Sequence, residues 1–318
     1  MSQPTSQDVH LDAALTNVSV AYFQTQDHFI AGKVFPKVPV TKQSGKYWAY
    51  TKADWFRDEA EKRADATESA GSGYNVSSTN GYFCDVYAFH KDVGEQTRAN
   101  YDAPLDPDRD ATLFVSQRLL LRGERQWVSE YFSTGVWGTT TTPSNLWSNY
   151  TTSDPISDVE EGKETVLGGT GFEPNTMVVG YQVWRWLKHH PDIVDRFKHT
   201  SSASITTDMI AGLLEIDNIY VAKSIYNSAQ EGATASYSFN VGLDALLCYV
   251  NPSPGLLAPS AGYNLVWTGV SGGLGTEVAI SSIPLETKKA DRIEGEIAFD
   301  YKIIGSDLGY FFNGAVST

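Results

Sequence analysis

The chain has 318 residues, of which 41% are hydrophobic and 12% aromatic, so it can bury a substantial core and is not a disordered protein. With 24 Lys and Arg against 38 Asp and Glu, its formal net charge is −14, which argues against general binding to nucleic acids or to anionic membranes. The two cysteines, Cys84 and Cys248, lie far apart among apolar neighbours. This arrangement excludes a disulfide framework and predicts buried free thiols in a reducing compartment.

The first forty residues are predicted to form an arm followed by a tether. Residues 1–30 are polar, carry a weak helical pattern over 11–22, and lack the basic start and apolar run of a secretion signal. No window of the chain approaches eighteen consecutive apolar residues, so we predict no membrane-spanning helix. Residues 30–40 are apolar, but Pro36 and Pro39 disfavour a central strand and favour an extended tether.

Residues 41–80, here called the limb, are predicted to form a long β-hairpin. A turn signal at Ser44 and Gly45 precedes an aromatic strand through Tyr47, Trp48 and Tyr50. A run of mixed charges over 57–68 and a run rich in glycine and serine follow. An excursion of this size without its own core is usually functional or disordered, and ordering it requires a surface to lie on.

The longest predicted helix covers residues 107–133 and begins with strong signals. Asp106 can cap it, Pro107 suits its first turn, and Asp108 and Asp110 complement the helix dipole. Arg118, Arg122 and Arg125 mark its other sides, and Gly135 follows its end. The apolar positions that define its predicted buried face are Leu113 and Phe114, Leu120 and Leu121, Trp127 and Val128, and Tyr131 and Phe132.

The remaining elements alternate between helices and strands. We predict a loop over 135–155, a helix over 155–167 capped by Asp154, and a short helix near 206–215. Residues 174–198 predict a buried strand that ends at Gly180 and runs directly into a helix carrying Trp184 and Trp186. Further strands are predicted at 82–90, 218–226, 243–250, 263–268, 276–283 and in the strongly alternating last thirty residues.

No motif in the chain predicts catalysis, a cofactor or a metal. The candidate metal ligands are His189, His190, Asp192, Asp195 and His199, but Pro191 interrupts their helix and the HExxH spacing is absent. The glycine-rich stretch 269–275 leads into a predicted strand, so no helix N-terminus is there to hold a phosphate. Carboxylates such as Asp291, Glu294 and Glu296 leave paired-carboxylate hydrolysis open on composition alone, although nothing singles out one pair.

The order of these elements resembles the major capsid protein of tailed bacteriophages, whose fold is shared with encapsulins and with the floor of herpesvirus capsids. The segments PNTMVVGYQVWRWLKHHPDIVDRF, IAGKVFPKVPV with GKYWAY, and DLGYFFNGAV carry the local similarity. The resemblance implies an α+β fold divided along the chain. Its parts are an N-terminal arm (1–35), an extended β-hairpin loop (36–80), a peripheral domain (81–170) with the spine helix at 107–133, a mixed α/β axial domain (171–282), and a return to the peripheral domain (283–318).

The resemblance also implies a structural function with no enzymatic activity. Many copies would assemble into an icosahedral shell around double-stranded DNA, without sequence-specific DNA binding or a membrane. Scaffolding, portal and decoration proteins are candidate partners, and the chain would be made in the host bacterial cytoplasm before it enters the virion. The acidic balance suits a shell that does not grip its DNA, and a strongly basic inner surface would count against that idea.

The limb aromatics are the predicted contacts between subunits, although packing within the hairpin itself is the alternative. They are Tyr47, Trp48, Tyr50, Trp55 and Phe56. Lys42, Lys46, Lys52 and Lys62 match no isopeptide motif, so no covalent cross-link is predicted. Two other functions remain open: an encapsulin-like protein compartment, and a β-rich carbohydrate-active or receptor-binding protein.

Overall fold

The computed structural model describes residues 24–101, 106–197, 205–253, 255, 258–270 and 278–317. The predicted helix over 11–22, His199 and most of the glycine-rich stretch 269–275 lie outside these residues. The helices are α1 (Ala31–Val34), α2 (Lys52–Trp55), α3 (Glu95–Asn100), α4 (Pro107–Tyr131), α5 (Pro155–Thr170), α6 (Tyr181–Lys188), α7 (Pro191–Phe197) and α8 (Thr207–Leu214).

The strands fall along the chain in four groups. In and after the limb are β1 (Lys37–Val40), β2 (Ser44–Lys46), β3 (Ala49–Tyr50), β4 (Val76–Ser77), β5 (Gly81–Phe83) and β6 (Asp85–Gly94). The middle of the chain supplies β7 (Thr139–Thr141), β8 (Thr176–Gly180), β9 (Asn218–Ala222), β10 (Ile225–Asn227) and β11 (Tyr237–Phe239). Then come β12 (Ala245–Cys248), β13 (Gly262–Trp267) and β14 (Ala279–Leu285). The last two are β15 (Ala290–Ile303) and β16 (Gly309–Phe312).

Helix α4, the predicted spine helix, forms for the reasons visible in its sequence. The Asp106 side chain accepts hydrogen bonds from the backbone N–H groups of Asp108 and Arg109, and Pro107 occupies the first turn. Its 25 residues span about 37 Å. The start and length of the predicted helix are therefore confirmed.

The buried face of α4 differs from the predicted one. Leu113 and Phe114 are exposed, while Ala111, Val115 and Leu119 are buried together with Trp127 and Tyr131. The predicted face was wrong in the first half of the helix, where neither member of the apolar pair points inward, because apolar pairs alone do not fix which side of a helix faces the core. The buried apolar side chains recur at intervals of four residues or multiples of four, and only the strand that α4 covers shows which side of the helix they occupy.

That strand is β15, the centre of a five-stranded sheet that we call the spine sheet. β6 pairs with β15 along one side, and β13 and β14 pair with it along the other, all antiparallel. β1 adds to β13 in parallel at the edge of the sheet. Gly295 of β15 leaves no room for a side chain, since an added Cβ would lie 2.6 Å from Val115 and 2.8 Å from Leu119. The helix can therefore approach the sheet closely.

The second sheet has the strand order β7-β16-β12-β8-β9 and lies under helices α5 to α8. All five residues of β8 are buried, and α6 begins directly after it, as the sequence predicts. Trp184 and Trp186 pack partly buried against the core of this sheet. The predicted helix at 155–167 is also confirmed, because Asp154 accepts a hydrogen bond from the backbone N–H of Ser157 at the start of α5.

Three segments take places in the sheets that the sequence did not show. β16, from the segment predicted to return to the peripheral domain, lies in the second sheet between β7 and β12. β13, from the predicted axial segment, lies in the spine sheet. The predicted loop at 135–155 contains β7, which pairs in parallel with β16. Each of these strands pairs with residues far away along the chain, so local pattern could not reveal its place.

The segment predicted as an extended tether contains a helical turn and is anchored in the core. Ile30 and Phe35 are fully buried on either side of α1. Glu124 of α4 accepts hydrogen bonds from the backbone N–H groups of Ile30 and Ala31 at 2.9–3.1 Å. The expectation of a purely extended tether was wrong, because these buried apolar residues and the carboxylate favour a fixed turn. β1 nevertheless lies at the edge of its sheet, in agreement with the expectation that the prolines disfavour a central strand.

Candidate intersubunit surface

The limb is a two-stage hairpin that projects from the spine sheet. β2 pairs with β5 and β3 pairs with β4, both antiparallel, so residues 51–75 form its tip. At the root, Asp300 of β15 accepts a hydrogen bond from the backbone N–H of Phe83 at 2.9 Å, and Cys84 N–H donates to the Gln43 carbonyl at 2.8 Å. The predicted hairpin is confirmed, and its root is hydrogen-bonded to the strand that α4 covers.

Most of the predicted contact residues are exposed. Trp48 is 67% exposed, Phe56 64% and Trp55 58%. Tyr50 is also exposed and lies against Trp55, with ring centroids 6.0 Å apart. Large apolar surfaces that remain in water in the single chain are typical of protein–protein contacts.

Tyr47 differs from the other four predicted residues because it is half-buried. Burial, and to a lesser extent the nearby Asp300, raises the pKa of the Tyr47 phenol. Its backbone N–H donates to the Asn80 carbonyl at 3.1 Å across the hairpin. Tyr47 therefore helps to build the limb and offers little free surface.

Packing within the hairpin, the alternative expected from the sequence, is present but partial. Tyr74 comes from the return side of the limb, and its ring lies 5.9 Å from those of both Tyr50 and Trp55. Phe56 lies beside Gly171 at the end of α5, and Lys52 forms an ion pair with Asp307. These contacts fix the tip but leave Trp55, Phe56 and Tyr74 more than half exposed.

Other exposed apolar residues were missed by the sequence analysis. On the limb and at its root they are Tyr74, Val76 and Phe83, which alternate with polar residues as an exposed strand does. A second group lies on β6, α4 and β14: Val86, Phe89, Leu113, Phe114, Ile280 and Ile283. Within this group, the rings of Phe89 and Phe114 lie 5.8 Å apart. The apolar pair Leu113 and Phe114 was visible in the sequence, but the prediction placed it on the buried side of α4 instead of the exposed side.

Within the histidine cluster weighed as a metal site, His190 has structural contacts in the core. His190 is fully buried, and its Nε2 lies 2.9 Å from the Ser153 hydroxyl oxygen. Burial lowers the pKa of His190, although nearby Asp192 opposes this effect. Among the described residues, no three His, Cys, Asp or Glu side chains are grouped as metal ligands.

Both cysteines are buried free thiols, as the sequence predicts. Burial raises the pKa of Cys84 to about 11 and that of Cys248 to about 12. Neither thiol is therefore a reactive nucleophile near neutral pH. Within the described part of the chain, no helix combines the length and apolar character needed to cross a membrane.

The chain is similar along its length to two curated phage proteins. It is 24% identical over 314 residues to a major capsid protein of Burkholderia phage BcepMu, covering 96% of both chains. It is 25% identical over 319 residues to the major capsid protein of Pseudomonas phage JBD67, covering 96% of this chain and 97% of that one. No family model matches the sequence.

Solved structures agree with these similarities. A phage-related protein from Bordetella bronchiseptica superposes with a TM-score of 0.69 at 22% identity, over 93% of this chain and 95% of that chain. The capsid of cyanophage P-SCSP1u superposes with a TM-score of 0.63 at 9% identity, over 99% and 96% of the two chains. The fold is that of phage capsid proteins.

The phage capsid fold also relates the chain to encapsulins. The SrpI encapsulin of Synechococcus elongatus superposes with a TM-score of 0.55 at 12% identity, over 97% of this chain and 96% of that chain. The resemblance to major capsid proteins and the α+β capsid fold predicted from the sequence are both confirmed. Among the residues that the structure describes, the exposed tryptophans Trp48 and Trp55 both lie on the limb.

Proposed function

We propose that the chain is a major capsid protein whose copies assemble into an icosahedral shell around the double-stranded DNA genome of a tailed phage. Similarity to two major capsid proteins over 96% of the chain supports this function. The observation that carries the proposal is the limb, whose root is fixed to the spine sheet while Trp48, Trp55 and Phe56 remain exposed. A shell subunit would use such rings against a neighbour.

Assembly follows from repeated burial of these surfaces. Stable protein contacts bury about 1,600 Å² in total, and a closed symmetric shell repeats each contact on every subunit. The limb enlarges the contact surface without enlarging the core. The second exposed apolar group, on β6, α4 and β14, offers further surface of the same kind.

The remaining features of the proposal concern organisation and partners. We retain the division into arm (1–35), extended loop (36–80), peripheral domain (81–170 and 283–318) and axial domain (171–282), with β13 and β16 pairing across it. Scaffolding, portal and decoration proteins are the expected partners, and synthesis in the host bacterial cytoplasm precedes incorporation into the virion. The chain acts structurally and not as an enzyme, in keeping with its relatives' names.

An encapsulin-like compartment is the second candidate, because encapsulins share the fold. The two functions differ in their contents, since a capsid encloses DNA and a compartment encloses a protein cargo. A carbohydrate-binding function has less support. In the described chain, the exposed tryptophans are Trp48 and Trp55, and both lie on the limb rather than beside a carboxylate pair in a cleft.

Electron microscopy of the purified chain, with scaffold supplied, tests the proposal. We expect hollow particles from the wild type and none from a variant with Trp48→Ser, Trp55→Ser and Phe56→Ser, whose unfolding midpoint should fall only slightly, because the packing lost with Trp55 and Phe56 lies outside the core. Tyr237→Ser is the matched control, because this ring is 70% exposed on β11 outside the limb. Wild-type protein that stays monomeric under all assembly conditions would contradict the shell function, and shells from the triple variant would contradict the role of the limb.

A further inference from the structure

A polar cleft along the spine helix has no part in the contacts described so far. It lies between α4, β6 and β10 and has a volume of about 650 Å³. Arg118, Arg122 and Arg125 line it at positions i, i+4 and i+7 of α4, so they share one side of the helix. They extend over about 10 Å along the helix axis.

The three residues Arg118, Arg122 and Arg125 are here called the arginine row, and each of their guanidinium groups lies against an aromatic ring. Arg125 lies 3.6 Å from the ring centroid of Tyr226, and Arg122 lies 4.9 Å from that of Tyr87. Arg118 lies 5.1 Å from that of Phe114. Stacking restrains the planar groups while their N–H edges remain able to donate hydrogen bonds, which lowers the entropy lost on binding an anion.

The positive charges of the row are not neutralised by the described part of the chain. No ion pair there joins any of the three arginines to a carboxylate. Glu124, on the same helix, is buried and points at Ile30 and Ala31. Glu130, at one end of the cleft, accepts a hydrogen bond from Gln126 at 3.0 Å. The cleft is thus a local basic site on a chain of net charge −14.

The polar and basic lining of the cleft distinguishes it from the exposed apolar surfaces of the limb and of β6, α4 and β14. Apart from Phe114, whose ring lies against Arg118 at its edge, no large exposed apolar side chain of the described residues meets the cleft, whereas the cores of protein–protein contacts are apolar and poor in charge. Interfaces with DNA are more polar and strongly positive, and arginine forms paired hydrogen bonds with phosphate oxygens. We propose that the arginine row contacts backbone phosphates of the enclosed duplex DNA, an inference that rests on the proposed capsid function.

The proposed contact is weak and independent of base sequence. Three phosphates neutralised by three arginines give a slope of about −2.7 in the plot of log affinity against log salt concentration. Affinity would then fall about 40-fold between 50 and 200 mM salt. Repulsion by the acidic remainder of the chain limits binding to this site, so a shell would hold its genome at many weak points without gripping it.

Fluorescence anisotropy with a labelled 20-base-pair duplex and the full-length unassembled chain tests this inference. We expect the wild type to bind at 50 mM salt with the stated slope. The variant R118Q/R122Q/R125Q should bind at least tenfold more weakly. R185Q is the matched control, because Arg185 is also exposed and lies 5.2 Å from the ring of Trp186, but on α6; its binding should equal that of the wild type.

Several outcomes would overturn the inference: no salt-dependent binding by the wild type, equal binding by the triple variant, or equal loss in R185Q. A triple variant that binds DNA normally but forms no shells would indicate that the arginine row binds carboxylates of a second copy of the chain instead of DNA. If the triple variant does not fold, R118Q and R122Q are measured singly, and each should reduce the slope by about 1. Micrographs of wild-type shells are scored separately, because their absence contradicts the capsid function whatever the DNA result.

Discussion

Glu124 is the buried carboxylate that joins the start of α1 to the spine helix. Only 2% of its surface is exposed. Burial raises the pKa of Glu124 to about 7, while hydrogen bonds from Ala31, Ile30 and Ser224 oppose the shift. Because Gln24 also exchanges hydrogen bonds with the backbone of Ile225 at 2.7 and 2.9 Å, residues 24–35 connect the spine helix to the strands after β9.

The raised pKa of Glu124 predicts a specific pH dependence of stability. Between about 4.5, where the unfolded chain titrates, and about 7, the native state holds a proton that the unfolded state has lost. The contribution of Glu124 to the free energy of unfolding is therefore fully present below pH 4.5 and is lost as pH rises to 7. The loss amounts to about 3 kcal/mol. The free energy of unfolding of E124Q, measured with urea, should therefore decline less between pH 5 and pH 8 than that of the wild type.

The control for this titration is E164Q, which removes an exposed carboxylate on α5. Its pH profile should follow that of the wild type. An E124Q profile that also follows the wild type would show that the Glu124 carboxylate does not titrate between these limits.

Gly180, at the junction of β8 and α6, is required for space and not for an unusual backbone angle. A Cβ built there would lie 2.0 Å from the Gly242 carbonyl oxygen, a backbone atom that cannot move aside. We expect Gly180→Ala to lower the free energy of unfolding by about 3 kcal/mol or more. Gly212→Ala in α8, where an added Cβ meets nothing within 4 Å, should raise it by about 0.5–1 kcal/mol. Equal effects in denaturant unfolding would refute the steric explanation.

At the scale of elements, the orientation of the spine helix separates core from contact surface. Leu119 is 2% exposed against β15, whereas Leu113 is 42% exposed. In the unassembled chain, Leu119→Ala should cost about 3 kcal/mol of stability and Leu113→Ala less than about 1 kcal/mol. Guanidinium unfolding midpoints measure both. A larger loss for Leu113→Ala would mean that the helix is rotated relative to the sheet.

The elements predicted best are those specified by neighbouring residues. The cap of α4 requires only Asp106 and Pro107, and the β8–α6 segment is read from buried apolar residues followed by Gly180 and a helical pattern. The limb was recognisable because the aromatic residues Tyr47, Trp48 and Tyr50 follow a turn signal. The side of α4 that faces β15 was not recognisable, since Gly295, which admits Val115 and Leu119, lies almost two hundred residues further along the chain.

At the scale of the whole molecule, the net charge of −14 opposes the approach of identical subunits. The Debye length falls from about 30 Å at 0.01 M salt to about 8 Å at 0.15 M. The critical concentration for shell assembly, measured by light scattering, should therefore fall as salt rises and level off by about 0.3 M. A continued fall above that concentration would indicate salting-out of apolar surface instead of screened repulsion.

The same net charge predicted a shell that does not grip DNA, and the arginine row refines that expectation. Arg118, Arg122 and Arg125 were visible in the sequence only as the polar side of a helix. They become a site because Tyr87 and Tyr226, from β6 and β10, bring rings against them. The net charge of a chain cannot show that one small region of its surface carries the opposite sign.

The sequence by itself determined the spine helix, the buried strand–helix segment, the free thiols and the aromatic limb, because each depends on the residues of one short stretch. The α+β class came from the order of the elements and its resemblance to phage capsid proteins. The tertiary structure alone decided that β16 completes the second sheet, that Glu124 anchors α1, that Tyr47 belongs to the hairpin rather than to its free surface, and that three arginines share a cleft. These features depend on contacts between residues far apart along the chain. Burial and hydrogen bonding select such contacts only when the whole chain has folded.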